Sequence, residues 1–549
     1  MDNPRFLIAI TLSFLVFVLW QMFGVDKEQV QHIQQNQQII EQPATPIIEQ
    51  KPFIKEITQD KSLTQQEKAA RIITVNTPLY SVQISEKGAV FKSFILKNYK
   101  ENANPDSPLF EMISSEISET RVVGLGLDKN SIPGLERAVF SAKPVSDSIN
   151  INDTEKEIIF SWVSPQGITV EKRFTFLPET YLIGLNVVIK NGSDRIIQDR
   201  PVLSLMKPPP GEPGRYGFEG PSALIDKKLK QIKLKKLKDK NIFTGELRWI
   251  AVQDRYFMSS IIPVSAVDAS MRLLLDKNNV LEAQYLGPAS LIQPADQHVF
   301  EYKLFFGPKS TKVLKGLDYD LSKSIDFGIF NFLAKPCLWF MNIIYDIIPN
   351  YGVAIILLTV FTKIILWPLG NKSYKSMAQM KKIQPLMMEL REKYKNDKKT
   401  MNVEVMALYK TYKVNPVGGC LPMLIQMPVF FALYRMLYEA IELRHAPFFG
   451  WITDLSVPDR LFRFGFAIPF MHEPYGIPVL TIIMGGTMFL QQKLTPPMGD
   501  PAQAKMMMFM PLIFTVIFIN FSSGLVLYWL INNMLSIAQQ YYITKQFAK

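Results

Sequence analysis

Nineteen residues from Tyr351 to Leu369 carry one charged side chain, Lys363, and the run closes on Trp367-Pro368-Leu369 before a strongly basic segment. An apolar stretch of this length reads as a membrane-spanning helix, since roughly 20 residues cross the hydrocarbon core. A lysine near the middle of a bilayer costs roughly 2.5–3.5 kcal/mol, and such residues commonly face a cavity or a partner. The alternative is that Lys363 snorkels, its stem buried and its ammonium wet. This span alone leaves the two readings level.

At 549 residues the chain exceeds one ordinary domain. Mean hydropathy is slightly positive although a fifth of the residues are charged, a mixture expected of a membrane part joined to a soluble part. The formal charge of +12 is concentrated: segment 371–416 holds 11 Lys/Arg against 4 Asp/Glu, segment 227–240 holds 8 Lys against 1 Asp, and the remainder sums to −2. Two cysteines, Cys337 and Cys420, make no disulfide framework. No phosphate-binding loop, HExxH or CxxC is present, and the four histidines all lie outside the apolar runs. An ATP-driven pump or zinc protease is disfavoured, the chain does not read as an enzyme, and no cofactor or metal is called for.

In chain order, Phe6–Val25 is uncharged and long enough to span, and residues 1–25 read as an uncleaved N-terminal anchor. Residues 26–70 form a polar tether. Residues 71–322 change character: Tyr80, Val82 and Ile84 alternate with polar residues, as do Tyr181, Ile183, Leu185, Val187 and Ile189, with turn signals such as Pro133-Gly134 between strands. This predicts a large all-β, sandwich-like domain. Lys227–Lys240 suggests either anionic lipid or nucleic acid, or a solvated edge of the sandwich, and the second fits its irregular apolar spacing better. Residues 323–350 predict a helix lying in the membrane interface, since Phe, Ile and Trp are interrupted by Asp326, Lys335, Pro336 and Asp346.

Residues 351–549 hold five apolar segments: Tyr351–Leu369, Val417–Tyr434, Gly476–Gln491, Met506–Phe521 and Gly524–Ile543. The basic segment 371–416 predicts a short helical hairpin, with Met377, Met380, Ile383, Met387 and Leu390 on one helix, Val405, Leu408 and Tyr412 on the other, and a turn at Asn396-Asp397. The loop 439–475 has 3 Lys/Arg, so positive charge places 371–416 in the cytoplasm, the β domain outside, and both termini inside. The fold class is thus a multi-domain membrane protein: an α-helical bundle of five core spans plus an anchor helix, a large extracytoplasmic β domain and a cytoplasmic helical hairpin.

Polar residues inside the spans fall on few faces. Thr359 and Lys363 are one turn apart, Gln426 lies between Pro422 and Pro428, and Tyr528, Asn532, Ser536 and Gln539 share a face. Interhelical hydrogen bonding covers Asn532 and Ser536. It covers Lys363 poorly, because no span holds a carboxylate, so a hydrated pocket is the better account. Met423, Met427, Met484, Met488, Met506, Met507, Met508 and Met510 offer flexible thioether surface for varied apolar partners, or ordinary core filling. Lys363 lies six residues before Leu369, roughly 9 Å deep at 1.5 Å per residue. A wet, positive vestibule at that depth suits a short hydrophilic tail, while lipid receives the apolar helix attached to it.

Lys410–Met427 (KTYKVNPVGGCLPMLIQM), Pro428–Tyr434 (PVFFALY), Ile441–Pro447 (IELRHAP), Thr487–Lys493 (TMFLQQK) and Gly524–Trp529 (GLVLYW) closely resemble the YidC membrane protein insertases. The anchor, the tether, Arg248–Phe257 (RWIAVQDRYF) and Phe305–Lys309 (FFGPK) resemble the long, Gram-negative form, so the likeness spans nearly the whole chain. It implies a five-span insertase core in the bacterial inner membrane, a periplasmic β-supersandwich, and work alone or beside the Sec translocon, with ribosomes and nascent membrane proteins as partners. The basic hairpin and tail would meet the ribosome and anionic lipids, and the unit would act as a monomer. The family's groove cation, usually arginine, maps to Lys363, and groove positions carry over to Thr359, Gln426, Met427, Phe430 and Trp529. Tyr528 and Asn532 join them from the polar face of the last span. Two features depart from the pattern: Phe521-Ser522-Ser523-Gly524 lacks the family's proline, and the loop 456–475 is longer than in many members.

Rival readings are weaker. A transporter of a small anionic solute would also use an intramembrane cation, but no inverted repeat is visible. An intramembrane protease would need a base beside Ser522 or Ser523, and no span offers one.

Overall fold

The computed structural model describes residues 70–114, 121–208, 218–237, 240–265, 267–412, 414, 421–495 and 501–548. The anchor expected over 1–25 and, except for Ala70, the tether expected over 26–70 lie outside them.

Between Ile72 and Pro308 the backbone is built from β-strands in two main sheets. The smaller has five strands in the order Leu109–Ile113, Val90–Lys100, Tyr80–Ser85, Ile72–Asn76 and Ser148–Asn150, the last pair being parallel. The larger has thirteen strands, and all its described pairings are antiparallel. Period-two alternation drives the burial: Tyr80, Val82 and Ile84 are fully buried while Ser81 and Gln83 are half-exposed. In Leu182–Asn191 the alternating set is buried too, but so are Leu182 and Val188, because this strand is covered on both faces there. Aromatic rings join the sheets into one core. Phe91 lies 5.4 Å from Phe174, and Phe94 stacks on Phe306 at 5.1 Å. Pairs of this kind contribute about 0.5–1.5 kcal/mol beyond their buried area.

The lysine run begins as an edge strand. Lys228–Gln231 pairs only with Gly220–Ile225, through a turn at Asp226 and Lys227, both with positive φ. Exposed lysines on an unpaired strand edge discourage pairing with other chains.

Among the described residues, seven α-helices follow a one-turn helix at Thr311–Lys315: α1 (Asn331–Ile347), α2 (Tyr351–Lys393), α3 (Lys398–Thr411), α4 (Leu421–Glu439), α5 (Val479–Leu494), α6 (Pro501–Phe518) and α7 (Ser523–Ala548). One apolar cluster draws on all of them except α3 and includes Ala334, Met341, Ile355, Leu358, Leu433, Met436, Met484, Phe518, Leu525 and Val526. Among the described residues α2 is the one helix both long and apolar enough to cross a bilayer, and Met506–Phe518 forms a shorter apolar helix.

Several boundaries differ from those expected. The apolar run Tyr351–Leu369 and the first helix of the basic hairpin are one continuous helix of 43 residues, with Pro368 and Pro385 inside it. Gly476, expected at the start of a span, lies in the strand Tyr475–Ile477 opposite Arg463, and α5 begins only after Pro478. Hydropathy cannot separate such a strand from a helix entry, because both bury apolar residues. Residues 417–420 of the expected span lie outside the described residues, and α4 continues to Glu439 because Met436 and Leu437 remain buried. In the basic hairpin Asp397 accepts from the backbone N–H groups of Lys399 and Thr400, starting α3. Tyr412 is half exposed; Tyr409 is the tyrosine that packs inward, its hydroxyl 3.1 Å from Met387 Sδ. It is joined there by Met380, Ile383 and Val405.

The β domain meets the helices around the end of α4. Arg255 Nε donates to the Tyr438 carbonyl at 2.6 Å, and its guanidinium lies 3.6 Å from the Tyr438 ring centroid. Arg444 donates to the carbonyls of Lys100 (2.6 Å) and Glu101 (3.1 Å). Glu442 accepts from the Thr311 N–H at 3.2 Å.

Candidate functional site

Three helices, α2, α4 and α7, carry the residues singled out from the sequence. The α2–α7 seam is close because Gly370 faces Gln539: a Cβ there would meet Gln539 Nε2 at 2.8 Å. Gln539 uses that amide to donate to the Trp367 carbonyl (3.1 Å) and Asn371 Oδ1 (2.9 Å). The carbonyl-rich turn around Pro368 thus gains a donor from the neighbouring helix.

Within this seam Lys363 has a definite partner. Its Nζ donates to Ser536 Oγ at 2.7 Å, and Ser536 Oγ donates to the Asn532 carbonyl at 2.7 Å. The partner is a neutral group and not a carboxylate: a buried hydroxyl on α7 receives the lysine. Tyr374, three turns beyond Lys363 on α2, also hydrogen-bonds Ser536. The half-buried Lys363 side chain reaches across to α7. Thr359 is buried one turn earlier, and its hydroxyl donates to Ile355 O at 2.6 Å within its own helix.

Toward the start of α7 the site becomes aromatic. The buried Tyr528 hydroxyl hydrogen-bonds the Gln426 side chain of α4. Trp529 sits edge-on to Phe430 at 4.5 Å and to Phe518 at 4.9 Å. Tyr528 and Ser536 are eight residues apart, about 12 Å along the helix. Gln426, Met427, Phe430 and Asn532 are half-buried, so this side of the seam is partly open. The methionines do not form one surface: Met484 is buried in the helical core, whereas Met506 and Met508 are exposed.

The segment Phe521–Gly524 lies at the opposite end of α7 from the basic hairpin and is pinned by backbone. Ser523 N donates to Val457 O at 2.8 Å, Gly524 N to Leu455 O at 2.9 Å, and Ser523 Oγ to Asp454 O at 2.8 Å. A hydroxyl so buried and committed is unavailable as a nucleophile. Among the described residues no three His, Cys, Asp or Glu side chains gather where a metal could sit. Ser536 makes the interhelical hydrogen bond expected of it, with Lys363 as the partner; Tyr374 is not among the residues expected at the site, although its spacing of eleven from Lys363 puts it on the same side of α2.

Residues 343–549 match the family model described as 60Kd inner membrane protein, and residues 72–340 match that of the YidC periplasmic domain. Among curated relatives, "Membrane protein insertase YidC" of Syntrophus aciditrophicus is 40% identical over 99% of this chain and 100% of its own. The protein of the same name from Syntrophobacter fumaroxidans is also 40% identical over 99% and 100%. A solved structure of an active YidC insertase with its first transmembrane domain aligns at 19% identity and a TM-score of 0.38, over 86% of this chain and 95% of its own. The two family models together with full-length relatives at this identity place the chain in the YidC family of membrane protein insertases, inner-membrane proteins that carry a periplasmic domain.

Proposed function

We propose that this chain is a membrane protein insertase and chaperone. It accepts hydrophobic segments of nascent proteins at a hydrated, positively charged groove and releases them into the bilayer without nucleotide hydrolysis, alone or with the Sec translocon. The observation that carries the reading is the Lys363–Ser536 hydrogen bond, a cation fixed in a seam between two apolar helices. Its charge attracts the acidic, hydrophilic tail of an arriving segment, and transfer of the apolar helix to lipid supplies the driving energy at about 25 cal/mol per Å². Thr359, Gln426, Met427, Phe430, Tyr528, Trp529 and Asn532 form the walls on this reading.

The five helices α2, α4, α5, α6 and α7 are the core spans, and α1 lies in the interface. Both termini and the α2–α3 hairpin are cytoplasmic, and residues 26–350 are periplasmic. The hairpin's cations and the tail meet the ribosome and anionic lipids, and the protein acts as a monomer. Support comes from the charge asymmetry of the loops and from the names of the relatives.

Reconstitution of the full chain in nucleotide-free liposomes tests the reading, scoring protected insertion of a single-span protein with an acidic tail. Wild type and Lys363→Arg insert, and Lys363→Ala falls clearly. Equal insertion by all three removes Lys363 from the mechanism. No insertion above empty liposomes overturns autonomous insertase activity and makes transport of an anionic solute the next test.

A further inference from the structure

The long loop between α4 and α5 is not used by the groove. It folds as a hairpin of two short strands, Leu461–Phe464 and Tyr475–Ile477, joined by residues 465–474. Three phenylalanines on it point into open space: Phe462 is 68% exposed, Phe466 66% and Phe470 80%. Phe464 and Phe466 stack at 5.4 Å with their planes 11° apart. Two of these aromatics, Phe462 and Phe470, hold positive φ, a conformation bulky residues rarely adopt.

The hairpin is fastened beside the end of α6. Arg460 donates to Ile519 O (3.0 Å) and to Pro474 O (2.8 Å), tying the base. Asn520 ties the tip, accepting from His472 N and donating to Phe470 O, both at 2.8 Å. Along α6, Phe509, Leu512, Ile513 and Val516 are exposed at helical spacing, an apolar stripe that runs toward the hairpin. The exposed aromatics therefore begin where this stripe ends, at the end of the bundle that carries the β domain.

We propose that this hairpin is an interfacial anchor, seating Phe462, Phe466 and Phe470 at the headgroup–acyl boundary of the extracytoplasmic leaflet. Phospholipid is the occupant that fits. The apolar stripe on α6 already requires hydrocarbon, the hairpin continues it, and Arg463 on the first strand supplies a cation for lipid phosphate. Aromatic side chains at this depth are characteristic of membrane–water interfaces. The inference rests on the membrane-spanning reading of α6 given above.

The experiment uses the full chain with Cys337→Ser and Cys420→Ser, carrying one environment-sensitive fluorophore on Phe466→Cys or Phe470→Cys. The protein is reconstituted in nanodiscs of phosphatidylethanolamine and phosphatidylglycerol only. Lipids bear a nitroxide at the headgroup, at the top of the acyl chain or near its end, and iodide quenches from water. Leu512→Cys on α6 is the control. The expected result is blue-shifted emission at both hairpin positions, quenched several-fold more by headgroup and upper-chain nitroxides than by deep ones or iodide. Leu512→Cys is quenched by acyl-chain nitroxides. Iodide-quenched, water-like emission at the hairpin with an acyl-quenched control overturns the anchor and leaves the span intact, as for a surface kept for a protein partner. Water-like emission at all three positions overturns the span itself.

Discussion

Arg255 of the β domain caps the carbonyl of Tyr438 at the end of α4 while its guanidinium lies over the ring of the same residue. The last carbonyls of a helix lack intrahelical donors, and a cation placed there also meets the negative end of the helix dipole. One side chain thereby joins the two folded regions through both backbone and ring. Arg255→Ala removes a charged hydrogen bond of about 1.5–3 kcal/mol. We expect faster amide exchange on both sides of the junction, around Lys100–Glu101 and Tyr438–Arg444, with the strands far from it unchanged. Exchange that rises only at position 255 itself would refute the coupling.

Lys172 gives a pH dependence. It is fully buried in the β core, and its ammonium donates to the carbonyls of Gly88 (3.2 Å), Ala89 (2.5 Å) and Val123 (2.7 Å), with no carboxylate among them. Burial pushes its pKa down from 10.5 to about 7. Between these values the unfolded chain holds more protons than the folded one, so stability rises as pH increases from about 7 toward 10.5 and the penalty is complete below about 7. Chemical unfolding of the full chain, followed through the β domain, will show this rise in wild type. Lys172→Met will lose it, because the titrating group is gone. Parallel pH profiles would sink the assignment.

Ser536→Ala tests the seam directly. Removing the hydroxyl leaves Lys363 without its protein acceptor and Tyr374 without a partner there. In a cycle with Lys363→Met, thermal unfolding in detergent should give a coupling of about 1–2 kcal/mol. Additive single effects would mean that the two side chains meet only in passing.

Gly485 sets the approach of α5 to α6. A Cβ at that position would lie 2.2 Å from Thr515 Oγ1, and Thr515 cannot easily turn away because its hydroxyl donates to Pro511 O at 2.7 Å. Gly485→Ala should lower stability by about 1–3 kcal/mol through overpacking. Thr515→Ala in the same background removes the clashing oxygen and should restore part of it, measured by the same thermal assay.

Much of this was legible in the residues. The alternation of Tyr80, Val82 and Ile84 declared an inward face because strand burial has a strict period of two. Lys363, Ser536 and Asn532 could be placed on faces of their own helices for the same local reason. That Lys363 bonds Ser536, however, depends on two helices 173 positions apart in sequence meeting at Gly370, which no local pattern encodes. Tyr409 displaced Tyr412 because inward phase shifts near a helix end, where α3 stops at Thr411. Lys172 was readable but unread: it falls between Val170 and Phe174 on the inward face, where a charge is an anomaly.

The continuity of α2 carries a mechanical consequence. At 1.5 Å per residue its 43 residues make a rod about 65 Å long, with Lys363 about 18 Å from its start and the basic hairpin hung on its far end. Pro368 weakens that rod where the Gln539 amide grips it, so α7 supplies the fulcrum. From there to Lys393 is about 37 Å, and a swing of about 5° shifts the far tip by about 3 Å. A load settling on the hairpin would thus be felt as torque at the turn beside Lys363, and α2 would act as a lever.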